Sequence, residues 1–281
     1  MIILRLMARL PLPALYLLSV FAYALLYHVF RYRRGVVDDN LARAFPQWSK
    51  ARRQQLARRF YRQLADNGAE IVRARHMPHD EFARRVQVSN VQLLRELSDD
   101  CRRPLIIVTI HQGNWEWLSH ATSAALGMPL DPVYKPLHQD GVDRFMRELR
   151  SRFGARPVPV KAAARHLLRH KNECRLLTLV ADQAPIRVER TLWTQFLGQD
   201  TAFNPGAETL ARLVDCPVVF ARCQRLRRGH YQLEFQPLAM PPYAAIPQGD
   251  ITRDYARLAE AAIRAEPESW LWSNRRWKRQ R

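Results

Sequence analysis

Between Pro104 and His120 the chain reads Pro-Leu-Ile-Ile-Val-Thr-Ile-His-Gln-Gly-Asn-Trp-Glu-Trp-Leu-Ser-His, and no other stretch restricts the fold as strongly. Leu105 to Ile110 is an apolar run rich in β-branched residues, the pattern of a buried strand. It stops at His111, Gln112, Gly113 and Asn114, which are polar and turn-forming. A helix is expected from Trp115, continuing through the small and apolar residues Ala121 to Leu126. A strand that ends in a His and turns through Gly into a helix is a common seat of chemistry in α/β proteins. Side chains and backbone N–H groups converge there, beyond the strand's C-terminal end.

His111 and Glu116 lie within this stretch. On one α-helix their spacing would rotate the two side chains about 140° apart. They can cooperate only if His111 sits in the turn and Glu116 in the first turn of the helix. A carboxylate there is favoured by the helix dipole and can accept the imidazole N–H. That fixes the tautomer and leaves the other ring nitrogen free to take a proton from a hydroxyl. The N–H groups of Gly113 and Asn114 are then candidates to receive a developing oxyanion. The parts suit acyl transfer onto an alcohol. No serine stands in a Gly-x-Ser-x-Gly setting, so direct attack by the acceptor is the simpler route. The spacing alone is weak, because a His and a Glu that only satisfy turn hydrogen bonds leave the same pattern.

Charge narrows the partners. Across 281 residues Lys and Arg number 45 against 26 Asp and Glu, a net charge of +19. A surplus this large calls for an anionic partner: nucleic acid, an anionic membrane surface, an acidic protein or a phosphorylated substrate. The segment from Leu10 to Phe30 carries no formal charge with His28 neutral. At about 1.5 Å per residue it just crosses a hydrocarbon core of about 30 Å. Arg5 and Arg9 precede it, while Arg31, Arg33 and Arg34 follow. The heavier flank places the body on the cytoplasmic side. Tyr23, Tyr27 and Tyr32 suit an interfacial belt. A cleaved signal peptide ending near Ala22-Tyr23-Ala24 is a rival, opposed by the apolar continuation and the arginines beyond it. A helix lying on the membrane or against the body is another. The expected organisation is an anchor over 1–35 and one domain over 36–281. Cys101, Cys174, Cys216 and Cys223 form no CxxC pair and have no zinc spacing with His, and they read as reduced thiols facing the cytosol.

Along the chain, Val36 to Pro46 reads as a linker. Ser49 caps a helix from Lys50 to about Arg75, with Leu56, Phe60, Leu64 and Ile71 as its apolar stripe. Glu81 to Asn90 is ambiguous, and Val91 to Leu97 is helical. Strands are expected over Pro129–Tyr134, Val158–Val160, Leu176–Ala181 and Arg190–Leu197. Helices are expected over Gly141–Phe153, Ala162–His170, Pro205–Val214 and Ile251–Ala265. Pro217–Cys223 and Tyr231–Gln236 form two strands joined across the basic turn Arg225–Gly229. Strands alternating with helices predict an α/β fold. A mainly parallel central sheet is flanked by helices and preceded by a single transmembrane or membrane-anchoring helix. His120, His138, His166 and His170 read as surface or packed residues, and no metal or nucleotide motif is present.

Several short motifs occur in a fixed order. Asn40-Leu41 and Phe45-Pro46 follow the apolar segment, then His111-Gln-Gly-Asn-Trp-Glu116, then Tyr134-Lys135. Arg150 opens Arg-Ser-Arg-Phe-Gly, and Asp182-Gln183 ends a strand. Phe196-Leu197-Gly198 with Ala202, Glu266-Pro267 and Trp272-Ser-Asn-Arg275-Arg-Trp-Lys278 complete the series. Taken together they resemble the late acyltransferases of lipid A biosynthesis, the lauroyl- and myristoyltransferases of Gram-negative bacteria, within the HxxxxD/E glycerolipid acyltransferase superfamily. The likeness covers nearly the whole chain. Leu197 stands where that family usually has Phe, and Asn274 where it has His, departures that bear on fine substrate preference.

The resemblance implies transfer of a fatty acyl chain from acyl-acyl carrier protein to a lipid A precursor. The acceptor would be the 3-hydroxyl of an acyl chain already on the glucosamine disaccharide, giving an acyloxyacyl group without a cofactor. His111 would be the general base and Glu116 its partner. Arg150 would bind phosphate or the thioester oxyanion, and Asp182 would support the site through hydrogen bonds. Gln183, Asn114, Lys135 and Arg275 would contact substrate. Acyl carrier protein, the lipid A precursor and inner-membrane lipid are the partners, with the catalytic domain on the cytoplasmic face of a bacterial inner membrane, single-pass or monotopic. A different lipid acceptor, such as a lysophospholipid, a glycolipid or an ornithine lipid, is the nearest alternative. A basic module for nucleic acid or anionic lipid is more distant, since the basic residues are spread along the chain without an RRM, zinc-finger or helix-turn-helix signature.

Overall fold

The apolar run after Pro104 becomes the middle strand of a seven-stranded sheet, and all of Leu105–Thr109 is buried. The computed structural model describes residues 2–173, 175–185 and 191–278. In chain order the elements begin with α1 (Ile2–Met7), α2 (Leu12–Ala24) with a π-helical continuation over Leu25–Val29, α3 (Arg34–Ala44), α4 (Lys50–Ala74) and α5 (His79–Arg85). Then come β1 (Val86–Val88), α6 (Val91–Leu97), β2 (Leu105–Thr109), α7 (Trp115–Leu126), β3 (Leu130–Tyr134), α8 (Asp140–Arg150), β4 (Val158–Pro159) and α9 (Ala163–Arg169). The last are β5 (Leu176–Val180), β6 (Leu192–Phe196), β7 (Gln199–Phe203), α10 (Gly206–Val214), β8 (Val218–Arg227), β9 (His230–Ala239) and α11 (Asp250–Ala265).

The sheet order is β1-β9-β8-β2-β5-β3-β4. Neighbours run parallel except β8 and β9, which pair antiparallel across the basic turn. The fold is therefore α/β with a mainly parallel sheet. Side chains alternate across β2 as a strand requires. Ile106 and Val108 enter one core with α10, α11 and the C-terminal segment. Leu105 and Ile107 enter the other, with α5, α6 and α7. β6 and β7 form a separate hairpin. Its turn places both Leu197 and Gly198 at positive φ, 52° and 74°, as a two-residue hairpin turn demands.

Ser49 caps α4 as expected, accepting the Arg52 N–H at 3.2 Å. Several local expectations differ from the structure. The supposed linker at Val36–Pro46 is largely α3. Gly35, Val36, Val37 and the Asp38-Asp39-Asn40 run are poor helix formers, but burial of Val37, Leu41 and Ala44 overrides that propensity. The ambiguous stretch at Glu81–Asn90 divides into the end of α5 and β1. α8 ends at Arg150, and a 3₁₀ turn over Arg152–Gly154 follows. The helix expected from Pro205 starts one residue later, at Gly206, whose N–H donates to Asn204 Oδ1 at 2.9 Å. Residue 190, the expected start of the strand ending at Leu197, lies outside the described residues, as does Cys174. Cys216 and Cys223 are free and buried, but Cys101 is disulfide-bonded, against the expectation of four reduced thiols. Spacing along a chain does not reveal which thiols meet in space.

Candidate active site

Parallel pairing of β2 with β5 matches Thr109 to Val180. Two residues further along each strand, beyond the sheet edge, stand His111 and Asp182. The register thus sets them side by side. His111 Nδ1 lies 2.6 Å from Asp182 Oδ1, and the His111 N–H donates to Oδ2 at 3.1 Å. Trp270 Nε1 also donates to Oδ2, at 2.7 Å. Burial alone would raise the Asp182 carboxyl, but the charge and hydrogen bonds of His111, with the Trp270 N–H, hold it below the usual carboxylate range. The carboxylate thus orders Nδ1 as its donor, and Nε2 is left as an acceptor. Gln183, exposed, brings its amide nitrogen to 3.2 Å from Nε2.

The turn after β2 is tied on several sides. The His111 carbonyl accepts the Leu271 N–H at 2.9 Å, and Gly113 N–H donates to Ser269 O at 3.1 Å. Gln112 Nε2 reaches Ala262 O and Glu266 O, at 3.0 and 3.1 Å. From α4, Asn67 Nδ2 donates to Gly113 O at 2.7 Å. Gly113 itself has φ +58°, and a Cβ there would lie 2.9 Å from Cys223 Sγ. Only glycine fits both the angle and the space.

Glu116 is placed where expected, in the first turn of α7, but it does not hold the imidazole. Both of its oxygens are taken by Arg150, whose Nε and Nη2 donate at 2.9 and 2.5 Å. Burial would push the Glu116 carboxyl up; the guanidinium overrides this and keeps it below its ordinary value. Arg150 also lies 5.7 Å from the centre of the Tyr134 ring. The expectation that Glu116 accepts the His111 N–H is thus corrected: the parallel register supplies a nearer carboxylate, Asp182. The oxyanion expectation is corrected too. Gly113 N–H is spent on Ser269 O, and the Asn114 N–H is directed to the Cys223 sulfur.

A family model described as bacterial lipid A biosynthesis acyltransferase matches residues 1–279. The chain belongs to this family. A lipid A biosynthesis acyltransferase of Haemophilus influenzae is 22% identical to it over 256 residues, covering 87% of this chain and 76% of that protein.

In this acyltransferase the remaining candidate residues divide. Asp182, Gln183, Glu116 and Arg150 gather around the β2–α7 turn. Asn114 is buried and committed to structure: its Oδ1 caps α7 through the Trp117 N–H at 3.1 Å, and its Nδ2 donates to Glu70 at 2.9 Å. Lys135 is exposed just after β3. Arg275 lines a different cleft of about 350 Å³, with Gly35, Val36, Asp39, Asn40, Trp277 and Lys278. The Trp-rich tail does not lie loose at a surface. Trp270, Trp272, Arg276 and Trp277 are buried, and Asn40 Nδ2 bonds the carbonyls of Trp272 and Asn274 at 2.8 and 2.7 Å. His120 is packed, as expected, against Phe82 and Phe153, and burial pushes it down to about 4, so it is neutral. Among the described residues no group of three or more His, Cys, Asp or Glu could hold a metal ion.

Sequence reasoning missed Asn67, Glu70 and Trp270. The signal for the first two was present: amide and acid side chains at Asn67 and Glu70 interrupt the buried face of an amphipathic helix. Polar groups so placed are hydrogen-bonded to something.

Proposed function

We propose that this acyltransferase moves a fatty acyl chain from acyl-acyl carrier protein to a hydroxyl of an already acylated lipid A precursor, at the cytoplasmic face of the inner membrane. The observation that carries this reading is the His111–Asp182 pair at 2.6 Å, with Nε2 turned toward exposed Gln183. The acceptor hydroxyl displaces the Gln183 amide and donates its proton to Nε2. Its oxygen attacks the thioester carbonyl. The tetrahedral intermediate collapses, the C–S bond breaks, and the departing sulfur takes the proton back from Nε2. Asp182 stabilises the imidazolium that forms between these steps. Arg150, fixed by Glu116, retains Nη1 for a phosphate or for the developing oxyanion. The net charge of +19 suits phosphorylated lipid, an acidic carrier protein and an anionic leaflet.

The test is to mix purified full-length protein with acyl-acyl carrier protein and a tetra-acylated precursor, and to weigh the products. One added acyl chain is expected, and His111→Ala should slow its appearance by about 10²–10⁴-fold. Lysophospholipid and ornithine lipid are supplied in parallel. Transfer to those alone, or full activity in His111→Ala, would sink the proposal.

A further inference from the structure

The apolar helix is fastened to the folded body along its whole length. α2 and its π-helical continuation run antiparallel to α4. At one end Arg73 Nη1 donates to Ala8 O at 3.5 Å. Next, Tyr16 OH donates to Glu70 at 2.8 Å and Ser19 Oγ to Asp66 at 2.7 Å. Arg62 then lies 5.3 Å from the Tyr23 ring, and Arg58 Nε donates to Tyr27 OH at 3.4 Å. At the far end Tyr61 OH donates to Tyr32 O at 2.5 Å. Both flanks of the helix therefore touch one body. α4 carries Arg52, Arg53, Arg58, Arg59, Arg62 and Arg73, each of them costly in hydrocarbon. A helix bonded in this way cannot cross a bilayer without drawing α4 in with it.

The opposite face of the helix is apolar and bare. Leu17, Phe21, Leu25 and Val29 recur every four residues and are 46–68% exposed. Ile3, Leu6, Leu10 and Phe30 extend the exposed surface. Arg5, Arg9, Arg31 and Arg33 are exposed at its two ends. An apolar stripe with basic ends matches the boundary between acyl chains and anionic headgroups.

We propose that α1 and α2 lie in the plane of the membrane, with the stripe sunk at the headgroup–acyl boundary of an anionic leaflet and both basic flanks on the side of the body. The arrangement is monotopic. It deepens the membrane placement proposed above and rests on it.

Spin labels on single added cysteines test it. Leu17→Cys, Phe21→Cys, Leu25→Cys and Val29→Cys are made in the full-length chain and bound to vesicles of phosphatidylethanolamine with phosphatidylglycerol. The positions face away from α4, so the packing against it is kept, and the unsubstituted chain supplies the background. Depth is read from collisions with oxygen and with a water-soluble nickel complex. A spanning helix separates positions 17 and 29 in depth by about 18 Å. The in-plane helix holds all four at one shallow depth, and binding weakens by at least about tenfold on vesicles of phosphatidylcholine alone. Graded depths, labels left in water, or equal binding to the neutral vesicles would overturn the proposal. Acyl transfer is measured separately on the same variants in detergent. Loss of acceptor specificity there, with labels still at one depth, would count against the function proposed above and leave the topology standing.

Discussion

In the proposed reaction, Asp182 sets which nitrogen of His111 is free for the acceptor. With Nδ1 held by the carboxylate at 2.6 Å, Nε2 is the nitrogen left to act as the base in the reaction proposed above. Asp182→Asn keeps the shape and lets the wrong tautomer form, so it should lower kcat by about 10²–10⁴-fold with KM little changed. Steady-state kinetics with acyl-acyl carrier protein check this. Glu116 acts differently, through Arg150. Glu116→Gln leaves the partly buried Arg150 guanidinium without its counter-charge and should cost about 1–3 kcal/mol of stability, read by urea unfolding at neutral pH. The pH dependence follows from the sign of the shifts. Asp182 and Glu116 are both held below their ordinary values in the fold. Their stabilisation is complete above the unfolded values near pH 4 and is lost as pH falls through the lower folded values. The thermal midpoint should therefore drop on acidification below about pH 4, and less steeply in Glu116→Gln. The spacing of His111 and Glu116 picked out the turn around which Asp182, Gln183 and Arg150 meet. It could not show the partner, because Asp182 is brought in by strand register, which is a long-range property.

At the scale of elements, the strand–turn–helix unit depends on one glycine. Gly113→Ala forces an L residue to φ +58° and drives a Cβ to 2.9 Å from Cys223 Sγ and 3.0 Å from Cys223 O. The cost should be about 2–4 kcal/mol, with acyl transfer lost in proportion as the His111 turn shifts. Adding Cys223→Ala should restore only part of the stability, because the carbonyl contact stays; thermal melts of the single and double variants decide it. Local pattern was a good guide where burial follows one period. β2, α4 with its Ser49 cap, and α11 all repeat a stripe or run that a single window can see. It failed where tertiary contacts override propensity. α3 is built from Gly, β-branched and acidic residues and survives because Val37 and Leu41 are buried while Asn40 grips the tail carbonyls. β7, Gln-Asp-Thr-Ala-Phe, has no strand signature and exists because β6 pairs with it.

Over the whole molecule, Glu70 joins parts that are far apart in sequence. It is fully buried and accepts from Tyr16 of α2, Asn114 of the β2–α7 turn and Tyr231 of β9, at 2.8, 2.9 and 2.6 Å. Burial pushes its carboxyl up, while Tyr231, Arg225, Asn114 and Tyr16 oppose that rise. An apolar leader used only as an anchor could be removed and leave a stable body behind. Here α2 donates to the same carboxylate that fixes the turn, and Leu12 and Leu15 are part of the core. A chain lacking residues 2–31 should therefore lose more than its membrane affinity. It should unfold at lower denaturant, by at least about 3 kcal/mol in stability, since buried donors and acceptors lose partners at about 1–3 kcal/mol each. It should also fail to transfer acyl chains in detergent, where no membrane is needed. Glu70→Gln in the full-length chain separates the two roles. The amide keeps an oxygen for Asn114 and Tyr231, so activity in detergent should survive, whereas Glu70→Ala removes the acceptor that three donors share and should behave like the truncation. Full stability and activity in the truncated chain would reduce α2 to a mere tether and Glu70 to a packing residue.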